Sequence, residues 1–129
     1  MKSTKRAFGT EGEELALRFL QKTKKMKLVS RNFCIRGGEI DLILTDKRTL
    51  VFCEVKTRTP KSKDLGSTAL AVDSRKQKHL IRAAKVFLGK NEHQLKFNEC
   101  RFDVVEVYLP MDGTNKVYVR HTPYAFGTV

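Results

Sequence analysis

A chain of 129 residues can build one domain with a real core, and not two. Its 26 Lys and Arg against 14 Asp and Glu leave a formal charge of +12 and favour an anionic partner. The three cysteines, Cys34, Cys53 and Cys100, contain no C-x-x-C pair, which excludes a zinc knuckle or a thioredoxin-like centre; no stretch is apolar enough for a membrane span or a secretory leader.

Along the chain, Phe8, Gly12, Leu15, Ala16, Phe19 and Leu20 recur at helical spacing and predict a helix over about 8–23. Its exit is basic, with Lys22, Lys24, Lys25 and Lys27, and cations suit a helix C-terminus. A strand is expected over Leu28–Ile35, with Cys34 buried in it, and Gly37-Gly38 turns the chain into the next. Glu39–Thr45 and Leu50–Lys56 read as a hairpin around the polar turn Asp46-Lys47-Arg48. The second of these strands is apolar on both faces, through Leu50, Val51, Phe52, Cys53 and Val55, as a central strand is.

A polar loop follows over 57–71, with Pro60 and Gly66. Asp73 or Ser74 can cap a second helix that runs to about Leu88, with Gly89 as its stop. Leu80, Ala83, Ala84, Phe87 and Leu88 form its apolar stripe. Strands are expected over Phe102–Leu109 and Lys116–His121, separated by a turn at Pro110–Asn115. The order αβββαββ predicts a single α/β domain over residues 1–129, a central mixed sheet flanked by helices. Its ends, about 1–7 and 122–129, are expected to be loose. Unpaired cysteines suit a reducing cytoplasm.

The chemistry concentrates in the hairpin. Glu-Val-Lys at 54–56 and Gly-Glu-Ile-Asp at 38–41 put charges into strands that otherwise read as buried. Such charges are costly unless paired, hydrogen-bonded or bound to a metal. If Thr45 pairs with Leu50, Asp41 falls opposite Glu54. Opposed Cβ atoms lie roughly 4.5–5.5 Å apart. Two carboxylates that close need a positive partner, and a divalent metal or Lys56 can supply it. Lys56 shares the Glu54 face because strand side chains alternate. Mg²⁺ or Mn²⁺ takes oxygen ligands, and one or two carboxylates plus a substrate phosphate suffice for Mg²⁺. Glu39 is a further candidate ligand or a solvated glutamate. Taken alone, E-V-K is also the pattern of a surface ion pair. Helix periodicity places Glu11 and Glu13 both beside the apolar stripe and Glu14 further out, so it does not single out Glu13.

The second helix supplies the complementary surface. Arg75, Lys76, Gln77 and Lys78 lie near its N-terminus, where backbone amides favour phosphate. Arg58, Lys61 and Lys63 in or beside the preceding loop are expected to add contacts. A solvated charged face is the alternative reading. The basic residues are scattered over many elements, which favours nucleic acid over a membrane. His79, His93 and His121 are dispersed and read as structural or exposed.

G-x-x-G-E-x-x-A at 9–16, G-G-E-I-D-L-I at 37–43, V-F-C-E-V-K-T-R at 51–58 and C-R-F-D-V-V at 100–105 resemble the YraN family. That family is similar to Holliday-junction resolvases within the PD-(D/E)XK nuclease superfamily. The resemblance implies a restriction-endonuclease-like fold and a metal-dependent nuclease acting on structured or branched DNA. It implies Asp41 and Glu54 as metal ligands, Lys56 as the catalytic lysine and Glu13 as an auxiliary acid. Lys76 and Gln77 resemble a basic position that follows the E-x-K strand. A homodimer is a further implication. A non-catalytic nucleic-acid-binding module and a basic assembly factor remain alternative expectations.

Overall fold

The computed structural model of the chain describes residues 4–58, 73–91, 96–110 and 116–126. Its order is α1 (Thr4–Lys22), β1 (Lys27–Ile35), β2 (Gly38–Asp46), β3 (Thr49–Arg58), α2 (Ser74–Asn91), β4 (Glu99–Tyr108) and β5 (Tyr118–Phe126). The five strands form one sheet in the order β1-β2-β3-β4-β5. Only β3 and β4 pair in parallel, and α2 lies in the crossover between them. The remaining pairs are antiparallel. This is the expected α/β domain with a mixed sheet, with the apolar β3 at its centre.

Each helix covers one face. Ala16, Leu17 and Leu20 of α1 pack on Leu42, Leu44, Val51, Cys53, Val105 and Val107. Leu80, Ala83, Ala84 and Phe87 of α2 pack on Ile43, Leu50, Phe52, Phe102 and Val104. Alternation along β3 thus sends Val51 and Cys53 to α1, and Leu50 and Phe52 to α2. No described helix is long and apolar enough to cross a membrane.

Asp73 is the α2 cap. Its Oδ1 accepts the Lys76 N–H at 2.8 Å, and its carbonyl accepts that of Gln77 at 2.9 Å. Gly89 does not stop this helix, which continues to Asn91. An exposed glycine weakens a helix by about 1 kcal/mol relative to alanine but ends one only by turning left-handed. The one described glycine at positive φ is Gly37, at 84° in the turn into β2.

Two other expectations are corrected. Cys34 is exposed, because Phe33 and Ile35 are the β1 residues that pack on the α2 side. The last strand runs past His121 to Phe126, whose ring stacks on Phe102 with centroids 5.0 Å apart. That aromatic contact gives the strand end a core to join. Lys61, Lys63 and His93 lie outside the described residues.

Candidate metal and nucleic-acid site

The hairpin register is the expected one. Thr45 pairs with Leu50, and the β2–β3 ladder continues to Leu42 opposite Cys53. There it ends. Asp41 does not extend it as an ordinary cross-strand neighbour. Its Oδ2 instead accepts the Val55 N–H at 2.8 Å, so a side-chain oxygen takes the place of a strand carbonyl. Ile40 packs with the α2-side cluster and Leu42 with the α1-side cluster. Residues two apart in a regular strand share a face, so the alternation breaks at Asp41. On β1, Asn32 sits between partners of those same residues and is left-handed, at φ 51°. The sheet therefore opens where the acidic signals meet. The predicted proximity holds, through a break in the ladder rather than a regular pair.

Glu54 is buried on the β3 face that α2 covers, and it shares a side-chain hydrogen bond with Asp41. Burial, then the charge of Asp41 and that shared bond, push its carboxyl up to about 8; Lys76 and Lys56 pull the other way. Glu54 Oε2 is buried without a hydrogen-bond partner, although Lys76 Nζ lies 3.5 Å away. At that length the ammonium supplies charge rather than a formed hydrogen bond. Lys56, half-buried, follows two residues later on the same strand.

Glu13 approaches from α1. Gly12 lets the helix sit against β3: a Cβ added there would lie 1.9 Å from Thr57 Oγ1. This contact brings the next residue beside the open end of the hairpin. Burial, Asp41 and Glu39 raise the Glu13 carboxyl to about 7, against the influence of Arg31. Glu11 and Glu14 are exposed, and Glu14 is ion-paired with Arg31. Burial thus separates Glu13 from Glu11, a distinction that helical spacing did not make, and Glu14 lies outside as that spacing implied. Glu39 is exposed on the rim and pairs in register with Cys34.

A buried carboxylate oxygen lacking a donor, beside a second carboxylate fixed to the backbone, fits a hard cation. Asp41 and Glu54 are the pair that could hold one, with Glu13 adding negative charge. Among the described residues no three His, Cys, Asp or Glu side chains form a ligand group by themselves. The remaining positions on such an ion would fall to water and phosphate, as Mg²⁺ commonly takes them.

The basic candidates divide. Arg75, Lys76 and Lys78 are exposed on the first turns of α2, and Gln77 is half-buried there. Lys76 joins this surface to Glu54. Arg58 does not belong to it. Its side chain is buried, and Nε donates to Glu106 Oε2 at 3.1 Å. Tyr108 donates to the same oxygen at 3.0 Å. Removing a guanidinium from water is tolerable only with such a partner, so Arg58 is withdrawn from the phosphate-binding set.

The sequence reading missed two buried acids. Glu106 is one, with Oε1 buried and lacking a hydrogen bond. Asp103 is the other. It receives Arg101 Nε at 2.9 Å, and His121 Nε2 lies 2.7 Å from its other oxygen, which makes His121 structural. The signal available was an acid at each of 103 and 106 within the apolar run 102–109.

The sequence matches the profile described as Uncharacterised protein family UPF0102 over residues 12–107. It is 39% identical over 122 residues to a UPF0102 protein of Geobacter metallireducens, covering 94% of this chain and 93% of that one. A UPF0102 protein of Caldanaerobacter subterraneus subsp. tengcongensis is 38% identical over 125 residues, 97% of this chain and 98% of its own. One from Photobacterium profundum is 47% identical over 106 residues, 82% of each chain.

Proposed function

The chain belongs to the UPF0102 family, the family of YraN, and we propose that it is a divalent-metal-dependent nuclease acting on structured or branched DNA. The observation that carries this reading is the Asp41–Glu54 pair at the open end of the hairpin, with a donor-free buried oxygen on Glu54. Lys56 and the exposed cations of α2 stand beside it.

Each residue has a distinct task in this reading. The Val55 N–H fixes Asp41, so its second oxygen keeps a constant direction. Glu54 presents Oε2. Asp41 and Glu54 would hold Mg²⁺ or Mn²⁺, which would supply polarisation of a phosphate and a lowered pKa for a bound water. Lys56 places its ammonium against the negative charge that grows on the phosphate in the transition state. Lys76 offsets the Glu54 charge until phosphate arrives, and Arg75 and Lys78 take backbone phosphates on either side. Glu13 accepts a proton near neutral pH, which suits it to orient or deprotonate water.

The test is cleavage of single-stranded, duplex, flap and four-way DNA by purified protein with each divalent metal. We expect metal-dependent cutting with a preference for a branched member. Salt-dependent binding without cutting under any metal would replace the reading with a binding module, and neither binding nor cutting would leave an assembly factor.

A further inference from the structure

The acidic centre lies at one end of the β2–β3 pairing, and a second basic surface lies at the other. Lys22, Lys24, Lys25 and Lys27 leave α1 and enter β1, and Lys47 and Arg48 form the β2–β3 turn; all six are exposed. The fold joins these two segments. Met26 N–H donates to the Leu20 carbonyl at 3.0 Å, folding the helix exit back, and Lys27 pairs in register with Thr45, next to the turn. Two acids adjoin the turn: Asp46 is already engaged by Arg101, which reaches its Oδ2 at 3.2 Å, and Glu99, in register with Thr49, accepts from the Thr49 and Tyr124 hydroxyls.

Backbone geometry provides an independent sign. Lys25 and Lys47 are both left-handed, at φ 59° and 56°. Glycine or asparagine occupies such positions at lower cost, and a long side chain there carries strain of the order of 1 kcal/mol. Lysine stands at both corners of one surface. Lys24 is also steered, with Nζ 5.8 Å from the Phe19 ring centre.

We propose that this end of the molecule is a second docking surface for the phosphate backbone of duplex nucleic acid. It rests on the nucleic-acid reading above and extends it. Lys47 follows Asp41 by six positions along and just past β2, a distance of about 20 Å at strand rise. The substrate therefore continues, or branches, well past the cleavage centre. α2 grips it near the acids, and the α1 exit with the hairpin turn grips it at a distance. A short duplex reaches the first surface only.

Lysine acetylation footprinting of the unaltered protein tests this, read by mass spectrometry in chelator with a hairpin duplex of about 5 base pairs, roughly 17 Å long at about 3.4 Å per pair, and a duplex of about 30. Chelation removes cutting from the result. Lys76 and Lys78 should be shielded by both duplexes, and Lys24, Lys25, Lys27 and Lys47 by the long one alone. Combined K24A, K25N, K27A and K47N substitutions keep a residue tolerant of positive φ at both corners. They should lower the log–log salt slope by about 0.9 per lost contact on the long duplex and leave the short one unchanged. Shielding confined to α2, or an unaltered slope on the long duplex, overturns the second surface and leaves the nucleic-acid reading standing. No shielding of any lysine and no binding overturns both.

Discussion

Buried Asp103 and the pair of buried Glu54 with half-buried Asp41 sit in the same sheet and are treated in opposite ways. Asp103 is saturated: Arg101 Nε and Nη2 donate at 2.9 and 3.2 Å, the Tyr124 N–H at 3.2 Å, and His121 stands at 2.7 Å. Glu54 and Asp41 are arranged as though a partner were still to come. They share one hydrogen bond with each other, the nearest ammonium to Glu54 is 3.5 Å away, and one oxygen has no donor. Glu106 lies between the two: Arg58 and Tyr108 donate to its Oε2, while its Oε1 also lacks a hydrogen bond. What sets Glu54 apart is the second carboxylate beside it, and burial and that charge hold its proton.

Breaking the saturated group should cost the most. Asp103→Ala leaves the buried Arg101 guanidinium with Asp46 as its remaining carboxylate; removing one partner of a buried pair typically costs about 3–5 kcal/mol, and the Asp46 contact puts this loss at the low end. Chemical denaturation should show a loss of that size. At about pH 8 and above, where Glu54 ionises, Glu54→Gln should instead leave the metal-free protein as stable as the wild type, or more so, by relieving repulsion with Asp41. Equal losses in both variants would erase the distinction between the groups.

Lys56 sharpens the functional side of the comparison. Lys56→Ala should slow cleavage by about 10²–10³ while metal affinity stays near that of the wild type. Lys56→Arg should rescue poorly, since a planar guanidinium does not copy a compact ammonium. Early melting of the Ala variant, with full rescue by Arg, would make Lys56 a structural counter-ion. Single-turnover cleavage and thermal melting on the same samples decide the matter.

The pH dependence has a definite sign. The Glu54 carboxyl is at about 8 when folded against an ordinary 4.5, and that of Glu13 at about 7. The folded protein thus holds protons that the unfolded chain releases. Their stabilisation is fully present below about 4.5 and disappears as pH rises to about 7 and 8. Relative to Glu54→Gln, the metal-free wild type should lose melting temperature across that window. A constant gap between the two curves from pH 5 to 8 would count against the raised carboxyl.

The smallest effect concerns the surface. Replacing Arg75, Lys76 and Lys78 with Ala should reduce the log–log salt slope of DNA binding by about 0.7–0.9 per contact. An unchanged slope would mean that this turn of α2 faces solvent.

The parts visible in the sequence were those set by short-range rules. Turn length fixed Thr45 opposite Leu50, and apolar residues on both faces of Leu50–Val55 marked the central strand. The carboxylate pair followed from that register. What stayed hidden depends on partners distant in sequence. Asp41 takes a backbone N–H fourteen residues away, and Arg58 turns inward to an acid forty-eight residues on. A positive charge in a polar loop looks the same in sequence whether it meets phosphate or a buried glutamate. Gly12 read as one small residue in an apolar stripe. Its contact with Thr57, which sets Glu13 beside the site, appears only when α1 lies on the sheet.

The central claim is that Asp41 and Glu54 await a divalent cation. Calorimetric titration of Mn²⁺ into the wild type, Asp41→Asn, Glu54→Gln and Asp103→Asn tests it most directly, repeated at several pH values. The account predicts binding to the wild type that tightens up to about pH 8 and releases protons as it occurs. It predicts loss in the first two variants and retention in any folded Asp103→Asn protein. Unchanged Mn²⁺ affinity in both Asp41→Asn and Glu54→Gln would contradict it.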